Sequence, residues 1–168
     1  SGFLEPLEST AIHLVYKALI RFISHFPDRD FEQYTEQAFN QKINADYQEV
    51  RDFIILHYCT AGRDDTEFWR WCQNMPVPDS LREKIHLFRE RGQIEEISGQ
   101  FFSKDSWYSI LEGMKVRPKK YHPLMDAFDR EGLAKSLQES AQNTYKTVVQ
   151  MPKHGDYIQQ HCAAKKLM

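Results

Sequence analysis

Apolar residues recur along this chain with helical spacing. Ile12, Val15, Tyr16, Leu19 and Ile23 stand at i, i+3, i+4, i+7 and i+11, one face of a helix. Leu14, Ala18 and Phe22 add a second apolar face, so the pattern predicts a first helix buried on most sides. Ser9 and Thr10 stand where an N-cap belongs, and Phe26–Pro27 closes the segment. A second helical region is predicted from about Asp30 to Tyr58, with a break expected near Asn40 to Asn44. Its later part carries Tyr47, Val50, Phe53, Ile54 and His57 on one stripe. Asp65 and Thr66 are candidate caps for a short helix holding Phe68, Trp69 and Trp71. Asp79 or Ser80 is the expected cap of a helix over Leu81 to Arg91, with Gly92 as its stop. Ile94 to Ile97, a Ser98–Gly99 turn and Gln100 to Phe102 form the one candidate hairpin. Further helices are predicted over Lys104 to Glu112, Gly132 to Gln150 and Lys153 to Lys165. Pro118, Pro123 and Pro152 mark the joints. The expected fold class is mainly α, a single helical unit over 1–168.

Composition agrees with a folded domain. The 168 residues are 41% hydrophobic and 27% charged, with 13% aromatic residues, enough to give a core or a cleft unusual bulk. Lys and Arg number 22 against 24 Asp and Glu, a net charge of −2, so the basic excess of a nucleic-acid binder is missing. His13, Lys17 and Arg21 interrupt the longest apolar stretch, which argues against a membrane span. Cys59, Cys72 and Cys162 are odd in number and lack CxxC spacing, and they read as reduced thiols in a cytoplasmic protein. His154, His161 and Cys162 fit no common zinc spacing, so no metal is expected. The chain does not begin with Met, and its first residues read as the middle of a longer sequence.

The densest chemistry lies in Gly2-Phe3-Leu4-Glu5-Pro6-Leu7-Glu8-Ser9-Thr10-Ala11. Two carboxylates and a glycine precede the start of a strongly apolar helix. The free amides of a helix N-terminus suit a small anion, and a carboxylate there is ordinarily a cap. Composition and period go no further.

The segment SGFLEPLESTAIHL closely resembles the stretch that opens the C-terminal half of flavin-dependent tryptophan halogenases. The resemblance continues through RDFIILHY (Arg51 to Tyr58), RDDTEFWRWC (Arg63 to Cys72), PDSLREKIHLFRERG (Pro78 to Gly92) and MPKHGDYIQQHC (Met151 to Cys162). It implies the helical C-terminal portion of a two-part flavin enzyme, with residues 1–12 as a flavin and halide strap and 12–168 as a substrate-side helical region. In such enzymes FAD is reduced by a partner flavin reductase, and the flavin hydroperoxide oxidises chloride or bromide to hypohalous acid. The oxidised halogen then attacks an indole-like ring in a separate pocket. By the resemblance, Glu8 is the catalytic glutamate, and Thr10 and Ala11 supply the halide-binding amides. Ile12 meets the flavin, and Phe3, Leu4 and Pro6 line the strap. Many members have Gly where Ala11 stands; a backbone contact tolerates Ala while φ stays negative. His57, Phe68, Trp69, Phe101, Phe102 and Trp107 are candidate walls of the substrate pocket.

Departures from the family pattern matter equally. The family's catalytic lysine and its GxGxxG fingerprint belong to the N-terminal half, and the chain holds no GxGxxG. FAD binding is therefore expected mainly from an N-terminal portion, and this chain alone is expected to be inactive. The aromatic pair, glutamate and Phe-Trp pair that clamp free tryptophan are not found after the DDTEFW block. Another indole-like or phenol-like substrate is thus as compatible as tryptophan. Expected partners are the aromatic substrate, the N-terminal FAD-binding portion and the reductase, with no nucleic acid or membrane, and with room for a homodimer. Two other readings stand beside this one: part of an aromatic-hydroxylating flavin monooxygenase, or a non-enzymatic helical interaction module.

Overall fold

The computed structural model describes residues 10–95, 99–162 and 164. Its elements are α1 (Thr10–Ser24), α2 (Gln33–Cys59), α3 (Glu67–Asn74), α4 (Asp79–Arg91), α5 (Lys104–Gly113), a 3-10 turn (Pro123–Ala127), α6 (Arg130–Gln150) and α7 (His154–His161). No strand occurs among the described residues. Ile94, Glu95 and Gln100 to Phe102 lie in irregular backbone rather than the hairpin arms, and Ser98 lies outside the described residues. The chain divides into two compact units, Ser1–His122 and Pro123–Met168, where the sequence pattern alone pointed to one.

In the first unit α2 is the central element. It runs without the break expected near Asn40 to Asn44. Phe39 and Ile43 are half-buried, and Asp46, Val50, Phe53 and Leu56 are buried, so tertiary contact on one stripe overrides the weak helix preference of Asn. The main core joins Phe53 and Leu56 of α2 to Leu81, Ile85 and Phe88 of α4, Trp107 and Leu111 of α5, and Val116. Thr66 caps α3 by accepting from the Trp69 amide. Neither expected residue caps α4, which follows Pro78 directly. The Ser80 hydroxyl instead donates to the buried Asp52 carboxylate at 2.5 Å, tying α4 to α2, and Asp79 pairs with Arg82. Gly92 ends α4 at φ +67°, its N–H reaching Phe88 O at 2.7 Å. A side chain there would be strained by that φ and would meet Pro118 Cγ at 3.3 Å.

α1 packs differently from its sequence pattern. Only Leu14 is buried, while Ile12 (76% exposed), Val15, Tyr16, Leu19, Ile20 and Ile23 (69% exposed) stay open. The side that meets α2 is instead Leu14, Lys17, Ala18 and Arg21, at i, i+3, i+4 and i+7. The physical reason is a buried partner: Asp46 draws Lys17 and Arg21 inward together with Leu14 and Ala18 of the second apolar face, and the stripe from Ile12 to Ile23 turns out.

In the second unit Asp129 caps α6 by accepting the amides of Glu131 and Gly132, both at 3.1 Å. The helix therefore starts at Arg130, two residues before the expected Gly132. α7 stops at His161 rather than Lys165. Leu133, Leu137, Tyr145, Val148 and Val149 on α6 are all exposed.

Candidate functional site

Thr10 and Ala11 open α1. The first turn of a helix has amides with no intrahelical acceptor and the positive end of the dipole. α1 has no acidic residue in its first turn to offset that charge. Ala11 lies in the helix and is not among the positive-φ residues, so it meets the backbone condition set for a halide contact. Ile12 projects from the same turn and is exposed. Glu8, Phe3, Leu4 and Pro6 lie outside the described residues.

Behind this turn, α1 is held by a charged clamp. Arg21 Nε and Nη2 donate to the two oxygens of Asp46 at 2.6 and 2.8 Å, and Lys17 Nζ stands 3.5 Å from Asp46 Oδ1. Asp46 is 4% exposed. A carboxylate so deep in the fold must be paired, and a bidentate guanidinium is the partner best shaped for it. Lys17 also donates to the carbonyls of Gly99 and Gln100, at 3.3 and 3.4 Å. One α1 side chain thereby reaches the loop that leads into α5.

Four of the six predicted pocket residues come together around that loop. Phe101 is buried against Leu14 and Val50, with the His13 ring 4.4 Å away and the Lys17 ammonium 4.7 Å from its ring centre. Phe102 stacks on Phe53 at 3.8 Å and lies 5.2 Å from Phe101. Trp107 meets Phe53 edge-on at 4.9 Å, and His57 meets it likewise at 4.9 Å. His57 Nδ1 is bonded to Phe53 O at 2.7 Å. Trp107 is 1% exposed, a core residue that also borders a cavity of about 180 Å³ with Lys84, Leu87, Ile94 and Leu111. Its Nε1 has no hydrogen-bond partner among the described residues. Phe68 and Trp69 form another group around Tyr58: Trp69 stacks on it at 5.9 Å, and the Arg63 guanidinium covers Trp69 at 4.7 Å. Arg63 is also hydrogen-bonded to Asp65, which holds that carboxyl below its ordinary range.

Sequence reasoning overlooked Asp46, Lys17 and Arg21 as parts of a site, and with them Glu49, whose carboxylate accepts the Phe101 and Phe102 amides. Lys17 and Arg21 are spaced i, i+4, and Asp46 and Glu49 i, i+3. Opposite charges at helical spacing on consecutive helices were the available signal.

Residues 1–130 match the tryptophan halogenase family profile. The chain therefore belongs to the tryptophan halogenase family. Tryptophan 7-halogenase KtzQ from Kutzneria sp. (strain 744) is 32% identical over 137 residues, 73% of this chain and 25% of that protein. Among solved structures, BrvH, a flavin-dependent halogenase from Brevundimonas sp. BAL3, is 42% identical with a TM-score of 0.87, over 95% of this chain and 32% of that one. Xcc4156, a flavin-dependent halogenase from Xanthomonas campestris, is 33% identical with a TM-score of 0.89, over 100% of this chain and 34% of that one. The chain thus spans about a quarter of the first curated relative and about a third of these structures.

The family implies FAD. The described residues bear on its edge rather than its seat: exposed Ile12 can face a ring, and the first-turn amides of α1 can face an anion. They include no strand, and hence no strand–turn–helix dinucleotide motif.

Proposed function

We propose that this chain is the C-terminal, substrate-side part of an FAD-dependent halogenase acting on an indole-like aromatic. The observation that carries it is the family match over residues 1–130, the span containing Glu8 and the opening turn of α1. FAD held by the N-terminal portion and reduced by a separate reductase would pass its electrons to dioxygen, the two-electron oxidant that makes a halide electrophilic. This chain's residues act beside the catalytic lysine of the N-terminal portion. The amides of Thr10 and Ala11 hold the halide at the positive end of α1. Glu8 orients the halogen donor and stabilises the cationic ring that forms as the carbon–halogen bond is made. It then takes the proton released when the ring C–H bond breaks. Phe101 and Phe102 belong to the aromatic wall on the substrate side.

The exposed stripes on α1 and on α6 mark surfaces that bind another partner or another part of the protein. They fit a chain that packs against the rest of a longer enzyme. The deciding experiment uses the full-length protein with a flavin reductase. Glu8→Gln should abolish halogenation of indole or tryptophan while reduced flavin is reoxidised at the wild-type rate. Undiminished halogenation by Glu8→Gln would reject the role of Glu8. Oxygenated product formed equally with and without bromide would replace halogenase by monooxygenase.

A further inference from the structure

Glu49 lies on α2, three residues beyond Asp46 and therefore on the same side of the helix. One of its carboxylate oxygens accepts the Phe101 N–H at 2.7 Å and the other accepts the Phe102 N–H at 3.0 Å. The preceding carbonyls, of Gly99 and Gln100, accept from Lys17 of α1. The loop is thus held by its amides from α2 and by its carbonyls from α1. Its two phenylalanines aim differently: Phe101 lies under α1 against Leu14, and Phe102 stacks on Phe53 where it borders both the main core and the Leu14–Val50–Phe101 cluster. The backbone where they part is what Glu49 grips.

We propose that Glu49 is a positioning residue for halogenation, fixing the loop that carries Phe101 and Phe102 against α1 and so setting the aromatic wall relative to the Thr10–Ala11 turn. This rests on the halogenase reading and deepens it. The side chain suits the task because two amides need two acceptors, and ionic acceptors make the stronger bonds. A glutamine of equal size keeps one acceptor and turns an NH₂ donor toward the second N–H, which makes the isosteric change a sharp test. An aspartate keeps both acceptors but falls one methylene short.

The test compares wild type, Glu49→Gln and Glu49→Asp in the full-length protein, with indole and free tryptophan as probe substrates. Glu49→Gln should raise KM for whichever probe is converted by about tenfold and lower halogenated product per flavin oxidised. Flavin reoxidation should be unchanged. Hydrogen exchange at the Phe101 and Phe102 amides should quicken about tenfold. Glu49→Asp should fall between the two and supply the same measurements should the glutamine variant fail to fold. A purely structural role would lower kcat through loss of folded enzyme and leave KM where it was. Unchanged KM and product yield in both variants, with or without faster exchange, would overturn the positioning role, as would unchanged exchange. Wild-type protein that halogenates neither probe would instead overturn the reading of an indole-like substrate, and exchange would still decide whether Glu49 holds the loop.

Discussion

Removing one member of the α1 clamp has a calculable cost. In Arg21→Met the methionine keeps much of the arginine's apolar stem, so the change is chiefly the loss of the guanidinium and its two bonds to Asp46. Breaking a buried ion pair from one side costs about 3–5 kcal/mol, because the partner charge is left buried. Two features reduce that here. The Arg21 side chain is itself 21% exposed, and Lys17 remains 3.5 Å from the same carboxylate. The expectation is therefore about 2 kcal/mol. With a guanidinium m-value of about 4 kcal/mol per molar, that is a fall of about 0.5 M in the unfolding midpoint. Adding Asp46→Leu removes the stranded charge, so the double variant should regain at least about 1 kcal/mol over Arg21→Met alone. Guanidinium titrations of the four proteins, followed by far-ultraviolet circular dichroism, give the cycle. A loss below about 0.5 kcal/mol for Arg21→Met, or additive single changes, would refute the claim that Asp46 pulls this face of α1 inward.

Three further outcomes follow from individual residues. Gly92→Ala forces a side chain into φ +67° near Pro118 and should cost about 1–2 kcal/mol, read as a lower thermal midpoint; an unchanged midpoint would show that the α4 end relaxes freely. Trp107→Phe should cost less than about 1 kcal/mol in urea unfolding, because the volume lost is offset by removing an N–H buried without a partner among the described residues; a loss above about 2 kcal/mol would refute that offset. Burial raises the Cys59 thiol above its ordinary range, outweighing nearby Arg89. At pH 8 iodoacetamide should therefore modify exposed Cys162 at least about tenfold faster than Cys59. Since the folded chain holds the Cys59 proton more tightly than the unfolded one, its contribution is present below the ordinary thiol range and lost as pH rises through the folded value. Equal labelling rates for the two cysteines would contradict that environment.

Much of this architecture was legible in the residues. Helical period placed α1, α2, α4 and α5 to within a few residues, Thr66 and Gly92 marked true ends, and the LEST and DDTEFW blocks pointed to the family that the profile match then showed. Such signals are local: a cap, a glycine or a stripe acts within one or two turns of its own backbone. The misreadings came where a local signal met a distant partner. Ser80 was a fair cap by type, yet its hydroxyl is spent on Asp52, 28 residues away. Asn40 to Asn44 looked like a break, yet packing on either side carries α2 through it.

By itself, then, the sequence determined which segments are helical, where several of them stop, and to which family the chain belongs. Tertiary structure alone decided which side of α1 faces inward, because its apolar residues offer two nearly equal faces and only a buried carboxylate on α2 breaks the tie. It alone set Phe101 under α1 and Phe102 onto Phe53, since neighbouring side chains diverge according to where their backbone amides are held. Those amides are held by Glu49, more than fifty residues away along the chain, a distance across which no periodicity carries information.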